Sequence, residues 1–395
     1  MQKQNYETVS ELYKKYVMKT CKPNLVLVRG RGSYVWDING KRYLDFGSGI
    51  SVCNLGHCNP AVSAAVKAQV DQLVHTSNLY MNVNQPRLAQ ALVERGFDGV
   101  AFFCNSGAEA NEGMIKFARK WGHDQGKYEI ITMEDSFHGR TLATLAATGR
   151  AKYRKGFEPD MPGFVNVPFN NLDAIKNAIT EKTVAVLMEP VQGEGGIIPA
   201  DPEYMKQLRA LCDAKGILLL FDEVQCGMGR TGEFYAFKNY GIEPDAVSLA
   251  KAIANGYPMG AFVVKRQYED VLQVGSHNST FGGTPLASAA ALAVIEYIDE
   301  KKVLKNCRKQ GKYIIDGINA MKSKYKFIRD VRGIGLMIGV VLDRPASEFL
   351  PKLEEKGLIA LSAGETVLRL LPPLTVTKAE VDKALSIMAE VFDTV

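Results

Sequence analysis

Three short segments of this sequence carry residues whose types and surroundings could do chemistry. Lys251 follows the apolar run DAVSLA, Asp222 ends the run ILLLFD, and the segment NSGAEANE begins at Asn105 after the run VAFFC. A lysine among small apolar residues can become a neutral amine that reacts with aldehydes, because desolvation disfavours its charged form. A carboxylate at a strand end can pair with a protonated ring nitrogen, bind a metal or cap a helix.

The segment NSGAEANE is typical of a turn between a strand and a helix. Backbone N–H groups at such a turn bind phosphate together with the positive end of the helix. The sequence contains neither GxxxxGK[ST] nor GxGxxG, which disfavours both standard nucleotide sites. Each feature alone has an ordinary structural explanation, namely a solvated lysine, a capping aspartate and a plain loop. Together they match the aldehyde, ring nitrogen and phosphate of pyridoxal phosphate, with Phe137 placed to stack on the ring and Thr280 to add a hydroxyl at the phosphate.

The elements that must position these residues alternate between apolar runs and helical patterns from Val100 onward. Continuous Val, Ile and Leu runs flanked by helices predict strands buried on both faces, and hence a large doubly wound, mainly parallel sheet of the α/β class. Open sheets of this kind bind ligands at the carboxyl ends of their strands. Two helix starts are also predicted, by Asp201 before Pro202 and by the Thr377–Glu380 capping box.

The two ends of the chain differ from its middle in their patterns of apolar and polar residues. The segments SYVWDI, KRYLDF, LMIGVVL and TVLRLLP are typical of antiparallel strands, and long amphipathic helices accompany them. We therefore predict a large cofactor-binding domain over residues 59–285. A smaller α+β domain is predicted to be assembled from residues 1–58 and 286–395.

Composition and charge exclude several classes of protein. The 395 residues are 46% apolar and 23% charged, as in a folded protein with two packed units. No apolar run reaches the roughly 18 residues of a membrane span, and the first twenty residues lack the apolar core of an export signal, so we expect a cytoplasmic protein with no membrane partner. The net charge of +5 is scattered, which disfavours nucleic acid. Seven cysteines without CxxC pairs or nearby histidines predict reduced thiols and no metal site.

Nine motifs, in order along nearly the whole chain, resemble those of the class III (ω-amino) aminotransferases, and within that class the acetylornithine aminotransferases. They are YLDFGSGISVCNLGHCNP, HTSNLYMN, NSGAEANE, SFHGRT, EPVQGEGG, LLLFDEVQCGMGRTG, SLAKAIANGYPMGA, STFGGTPLA and LRLLPPLTV. The resemblance implies pyridoxal 5'-phosphate as cofactor and the fold type I of pyridoxal-phosphate transferases. It also implies a homodimer whose active site is shared between subunits.

The resemblance further implies a role for each matching residue. The cofactor residues are Lys251 as the Schiff-base lysine, Asp222 at the ring nitrogen, Gln225 at the phenolic oxygen, Phe137 and Val224 on the two ring faces, Gly107 and Ala108 at the phosphate, and Thr280 reaching the phosphate from the partner subunit. The substrate residues are Arg140, Ser279, Arg369 as the ligand of the glutamate α-carboxylate, and Glu194 as the partner that neutralises it. Ala108 replaces a commoner threonine and Phe281 a commoner tyrosine, and both changes are conservative.

The expected reaction moves the terminal amine of N2-acetyl-L-ornithine to 2-oxoglutarate, as in arginine biosynthesis. Ile50 stands where ornithine δ-aminotransferases have a tyrosine, which argues against free ornithine but not against 4-aminobutyrate. The sequence leaves three related activities as alternatives: aminotransferases of 4-aminobutyrate, of succinylornithine or of N-succinyl-diaminopimelate. An aminomutase or decarboxylase would share every cofactor motif, whereas a non-catalytic relative would lack Lys251 or Asp222.

Overall fold

The computed structural model describes residues 5–395, so residues 1–4 of the predicted small domain lie outside it. Its strands are β1 (Leu27–Arg31), β2 (Tyr34–Asp37), β3 (Arg42–Asp45), β4 (Gly99–Cys104), β5 (Glu129–Met133), β6 (Phe164–Val167), β7 (Thr183–Met188), β8 (Val191–Gln192), β9 (Ile198–Pro199), β10 (Leu218–Asp222), β11 (Ala246–Leu249), β12 (Gly260–Lys265), β13 (Ile328–Ile334), β14 (Met337–Leu342), β15 (Leu358–Ile359), β16 (Leu361–Ala363) and β17 (Val367–Leu370).

The helical elements are α1 (Tyr6–Tyr16), α2 (Ser48–Ser51), α3 (Pro60–Val70), α4 (Asn84–Arg95), α5 (Gly107–Gly122), α6 (Leu142–Ala147), α7 (Ala151–Arg154), α8 (Leu172–Ala178), α9 (Pro202–Lys215), α10 (Pro285–Glu300), α11 (Val303–Met321), α12 (Leu350–Glu355) and α13 (Lys378–Phe392). Short 3-10 helices lie at Ser77–Leu79, His123–Gln125, Ala236–Tyr240, Lys251–Ala254, Arg266–Tyr268 and Ala346–Glu348. Among residues 5–395, no helix is both long and apolar enough to cross a membrane.

A seven-stranded sheet with the order β4-β12-β11-β10-β7-β5-β6 forms the centre of the fold. Its strands pair in parallel except β12, which is antiparallel to both β11 and β4. The predicted mainly parallel sheet is confirmed. The reversal at β12 has a simple cause, because the connection from Leu249 to Gly260 is shorter than the dozen or so residues that a parallel crossover needs.

Both ends of the chain build smaller sheets. One has the order β1-β2-β3-β15 and the other β13-β14-β17-β16. Because β15 pairs in parallel with β3, residues from the two ends of the chain share one sheet. Helix α10 contacts α3 and α4, at the predicted boundary near residue 285. The proposed domain limits stay a prediction.

The central strands are apolar because they are buried on both faces. Every residue of β7 and β10 is buried, as the uninterrupted apolar runs predict. The two predicted helix starts are also present: Asp201 accepts hydrogen bonds from two N–H groups of α9, and Thr377 forms a capping box with Glu380 at α13. Helices and loops follow the carboxyl ends of β4, β10 and β11, and this edge of the sheet carries the residues singled out from the sequence.

Candidate active site

A cavity of about 410 Å3 opens at the carboxyl edge of the central sheet. It lies where three strands end: β10 ends at Asp222, Lys251 follows β11, and α5 begins at Gly107 after β4. The predicted site residues that line the cavity are Gly107, Ala108, Phe137, Arg140, Glu194, Asp222, Val224, Gln225 and Lys251. The structure thus brings together residues up to about 150 positions apart along the chain. This is expected if the segments around Asn105, Asp222 and Lys251 form one site.

The start of α5 forms a cradle of backbone donors. Ser106 caps the helix: its hydroxyl accepts the N–H of Glu109 at 3.2 Å, and its carbonyl accepts the N–H of Ala110 at 3.1 Å. The N–H groups of Gly107 and Ala108 belong to the first turn, which has no intrahelical acceptor for them. A Cβ on Gly107 would lie 2.7 Å from the Val224 side chain, so any other residue would fill the cradle. This end of the cavity therefore suits an anion such as phosphate.

Asp222 is a buried carboxylate held in one orientation. Its Oδ1 accepts the N–H of Val224 at 3.0 Å, and its Oδ2 accepts the amide of Asn111 at 2.7 Å. The Nδ1 atom of His138 lies 2.8 Å from the same Oδ2. Only 3% of Asp222 is exposed. Such a fixed acceptor can pair with a protonated ring nitrogen.

Sequence reasoning missed His138 and Asn111, although both lie in motifs that it used. Asn111 follows Gly107 by one helical turn and so shares its face of α5. It also accepts a hydrogen bond from the Ser248 hydroxyl at 2.7 Å, which fixes the amide that donates to Asp222. His138 follows Phe137 directly. The helical spacing could have identified Asn111, whereas nothing in the sequence indicated that His138 meets Asp222.

Lys251 begins a 3-10 helix with a left-handed backbone, at φ 44°. Burial lowers the pKa of its amine, and the nearby carboxylates Asp222, Glu189 and Glu194 oppose that shift. The amine faces the cavity among these groups. A desolvated lysine with a depressed pKa is suited to react with an aldehyde.

Glu189 is a second buried carboxyl in the cavity wall that sequence reasoning did not single out. Its two oxygens accept the N–H groups of Phe137 at 3.1 Å and of Gly193 at 3.0 Å. Burial raises the pKa of Glu189 to about 7, and the charge of Asp222 adds to the shift. Glu189 thus joins the loop that carries Phe137 to the loop that carries Glu194.

An ion pair joins Glu194, which lines the cavity, to Arg369, which is not among the lining residues. Their nearest atoms, Oε1 and Nη1, lie 2.7 Å apart, and the Glu194 side chain is 23% exposed against 4% for Arg369. Arg369 also donates to the Gln225 side chain at 3.4 Å. Glu194 is on a loop between Gly193 and Gly195, where a Cβ would come within 3.0 Å of neighbouring atoms. The pair is therefore buried on the arginine side and partly exposed on the glutamate side.

Arg140 lies at the cavity mouth with its guanidinium over two aromatic rings. Its Cζ atom is 4.1 Å from the centre of the Tyr153 ring and 5.3 Å from that of Phe137. The two rings meet edge to face at 6.0 Å. No carboxylate forms a salt bridge with Arg140 in the part of the chain that the structure describes. The stacked guanidinium is thus oriented and free to bind an anion.

Ser279 and Thr280 do not line this cavity. The Ser279 hydroxyl accepts a hydrogen bond from the Asn105 amide at 3.3 Å, beside the start of α5. Thr280 is exposed. The structure describes one chain, so the predicted role of Thr280 in a partner's site stays a prediction.

The groups around the cavity fit the three reactive parts of pyridoxal phosphate. The α5 cradle suits the phosphate, Asp222 suits the ring nitrogen, and the Lys251 amine suits the aldehyde. Phe137 and Val224, both in the cavity wall, provide apolar surface for a flat ring.

Comparisons with known proteins identify the family of the chain. Residues 16–392 match the family model described as aminotransferase class-III. Acetylornithine aminotransferase of Methanocaldococcus jannaschii is 52% identical over 93% of this chain and 93% of its own length. The corresponding protein of Caldanaerobacter subterraneus subsp. tengcongensis is 46% identical over 96% of this chain and 98% of its own.

Solved structures show the same architecture. N-acetylornithine aminotransferase from Stenotrophomonas maltophilia superposes with a TM-score of 0.85 at 35% identity, covering 97% of this chain and 98% of that one. Ornithine aminotransferase from Toxoplasma gondii ME49 superposes with a TM-score of 0.95 at 30% identity, covering 99% and 96%. The chain therefore belongs to the class III aminotransferases, pyridoxal-phosphate-dependent enzymes of fold type I.

Proposed function

We propose that this enzyme transfers the terminal amino group of N2-acetyl-L-ornithine to 2-oxoglutarate, giving N-acetyl-L-glutamate 5-semialdehyde and L-glutamate. The observation that carries the proposal is the Glu194–Arg369 ion pair at the substrate end of the cavity. Acetylornithine presents a terminal CH2 amine with no adjacent carboxylate, whereas glutamate presents an amine beside its α-carboxylate. The names of the relatives at 52% and 46% identity support the same substrate, and with it a place in arginine biosynthesis.

The residues that would hold the cofactor follow from the cavity wall. Gly107 and Ala108 would bind its phosphate, Asp222 its ring nitrogen and Gln225 its phenolic oxygen. Phe137 and Val224 would cover its ring faces, and Lys251 would hold its aldehyde. Pyridoxal phosphate, when bound, supplies an electron sink for the negative charge left on carbon when a proton is removed.

Asp222 and Lys251 perform the protein's share of that chemistry. The hydrogen bonds from Asn111, Val224 and His138 hold the Asp222 carboxylate fixed, so it favours a protonated nitrogen opposite it. Once the substrate amine has displaced it from the aldehyde, the Lys251 amine would take a proton from the substrate carbon that bears the amine and pass it to the former aldehyde carbon.

Glu194 and Arg369 then distinguish the two half-reactions. When acetylornithine is bound, Glu194 neutralises Arg369, so no unpaired cation faces the CH2 group of the amine. When glutamate is bound, its α-carboxylate replaces Glu194 at Arg369, and Glu194 moves aside on its glycine-flanked loop. Arg140 binds the far carboxylate of either substrate, because its planar guanidinium can donate two parallel hydrogen bonds.

We propose further that the enzyme is a cytoplasmic homodimer with a shared active site, in which Thr280, beside Ser279, serves the partner's cavity. Large apolar side chains near these residues support an interface: Leu79 is 79% exposed, Met81 99% and Phe281 62%. Exposed apolar clusters of this kind mark protein contacts. Sedimentation velocity of the holoenzyme tests the assembly, and activity recovered by mixing a Lys251→Ala chain with a Thr280→Ala chain tests the sharing.

Initial rates with a panel of amino donors test the substrate. Acetylornithine, succinylornithine, N-succinyl-diaminopimelate, ornithine and 4-aminobutyrate are each assayed against 2-oxoglutarate, and acetylornithine should give the highest kcat/KM. A higher kcat/KM for a succinylated donor or for 4-aminobutyrate would replace the proposed substrate. Conversion of an amine without any 2-oxo acid acceptor would indicate a mutase or decarboxylase instead.

A further inference from the structure

Arg230 is the largest of the fully buried side chains, with 0% exposure. Its acceptors are all neutral. The guanidinium donates to the Ser51 hydroxyl at 2.9 Å, to the Leu336 carbonyl at 3.0 Å, to the Pro372 carbonyl at 2.6 Å and to the Asn54 side chain. No carboxylate pairs with it among residues 5–395. Burial lowers the pKa of Arg230 to about 10, so the group is still charged at neutral pH.

A buried cation without a counter-charge is costly, so its place in the structure needs a reason. The reason lies in the segments that it joins. Ser51 and Asn54 belong to the N-terminal end of the chain, Leu336 ends the turn between β13 and β14, and Pro372 follows the strand that carries Arg369. Arg230 itself is in the loop after Asp222. Its planar fork reaches all of these segments at once, which no other side chain can do.

One of these segments is strained. Ser48, Gly49, Ile50 and Ser51 have φ angles of 47°, 64°, 63° and 62°, so α2 is a left-handed turn. A β-branched residue such as Ile50 adopts this region only when its surroundings enforce it. The Asp45 carboxylate holds one end of the turn by accepting the N–H groups of Gly47 at 2.8 Å and Ser48 at 3.0 Å.

Arg230 holds the other end of the turn and connects it to the cavity. The Ser51 hydroxyl that accepts from Arg230 lies 3.2 Å from the Gln225 carbonyl, to which it can donate. Val52, the next residue, lines the cavity, and so does Gln225, whose side chain meets Arg369. By contrast, Asp222 and Lys251, assigned to the cofactor, have no hydrogen bond with the Arg230 side chain in the described part of the chain.

We infer that Arg230 is a positioning residue for the substrate end of the cavity: through Ser51 and Pro372 it fixes the strained turn Ser48–Ser51 and the strand end beside Arg369. Its removal should therefore change substrate binding before it changes cofactor binding. The identity of the amino donor is the only part of this inference that rests on the proposed function.

Ser51→Ala is the mildest test, since it removes one acceptor of Arg230 and leaves the other three. Ser288→Ala is the matched control, because Ser288 is also fully buried and its hydroxyl has no hydrogen-bond partner in the described part of the chain. Arg230→Lys keeps the positive charge but loses the planar guanidinium, which donates to several acceptors at once. Each variant is compared with wild type as the holoenzyme, using whichever donor the wild type converts.

Three measurements separate positioning from a general loss of structure. For Ser51→Ala, KM for the amino donor should rise about tenfold, the scale of one hydrogen bond from a charged group, while kcat stays within about twofold. Cofactor retention in dialysis should be unchanged, because Asp222 has no hydrogen bond with Arg230 or Ser51. Hydrogen–deuterium exchange should increase in peptides covering residues 46–54 and stay at the wild-type rate at the start of α5.

Arg230→Lys should give the same pattern with a larger rise in KM, and Ser288→Ala should match wild type throughout. The inference is overturned if Ser51→Ala behaves like Ser288→Ala, or if either variant loses the cofactor before its KM changes. A wild-type enzyme that ignores acetylornithine would refute the proposed substrate alone, because the same comparison can be made with the donor that it does use.

Discussion

Replacing Glu194 tests the idea that one charge pair lets a single cavity accept two unlike amines. In Glu194→Ala, Arg369 stays buried and loses the carboxylate 2.7 Å away. The glutamate half-reaction should be kept or improved, since the α-carboxylate no longer competes with Glu194. The acetylornithine half-reaction should fall, because an unpaired cation then faces a CH2 group.

The size of that fall follows from the geometry of the pair. A hydrogen bond between charged groups contributes about 1.5–3 kcal/mol, and the 23% exposure of Glu194 keeps the pair below the values of fully buried ones. At about 1.4 kcal/mol per factor of ten, the acetylornithine half-reaction should slow by about ten- to a hundredfold. Glu194→Gln, which keeps the shape and removes the charge, should show most of the same loss.

Single-turnover absorbance measures each half-reaction separately. The cofactor-loaded enzyme is mixed with acetylornithine in one experiment and with glutamate in the other, and the change in the cofactor spectrum is followed. Glu233→Ala is the control, because Glu233 pairs with Arg308 at 2.9 Å on the exposed surface. Equal losses in the two half-reactions, or a loss confined to glutamate, would refute the role given to Glu194.

Three further changes test the cofactor end of the cavity. Lys251→Ala should abolish turnover and the yellow colour of the holoenzyme while leaving the circular dichroism spectrum unchanged; near-wild-type turnover would contradict the assignment. Asp222→Ala should weaken cofactor retention in dialysis and lower kcat by several orders of magnitude, and an unchanged kcat would show that another group protonates the ring. Burial raises the pKa of Glu189 from 4.5 to about 7, so the folded protein holds this proton more tightly than the unfolded chain and loses stability as pH rises across that range. Glu189→Gln should therefore reduce the fall in melting temperature of the cofactor-free protein between about pH 5 and pH 8, and an identical fall in both proteins would argue against a buried, protonated Glu189.

The central sheet and the cofactor end of the cavity were predictable because their determinants are local. The apolar runs of β7 and β10 reveal burial on both faces. Asp222 ends a strand that the pattern already indicates, and Lys251 and Gly107 each come soon after one. The direction of β12 was less evident, since its composition is the same whether it pairs in parallel or antiparallel fashion. The length of the preceding connection decides it, and that length depends on where the strands end.

The residues that sequence reasoning missed act through contacts between distant segments. His138 meets Asp222 across 84 residues, and the acceptors of Arg230 are 106 to 179 residues away along the chain. A histidine beside Phe137 or an arginine in GMGRTG has no local pattern that reveals its partner. Most arginines lie at the protein surface, so the sequence alone would place Arg230 there. Only the packing of distant segments shows that this cation is buried.

Asp222 and Glu194 differ in exposure and hydrogen bonding in the way that two unlike substrates require. At the cofactor end, Asp222 is 3% exposed and hydrogen-bonded through both of its oxygens, so its position is fixed. At the substrate end, Glu194 is 23% exposed on a glycine-flanked loop, while its partner Arg369 is 4% exposed. A carboxylate can therefore leave a cation that stays in place, and the incoming α-carboxylate meets an arginine that is already oriented. The cofactor, which both half-reactions share, needs no such exchange of partners, and Asp222 is accordingly held through both of its oxygens.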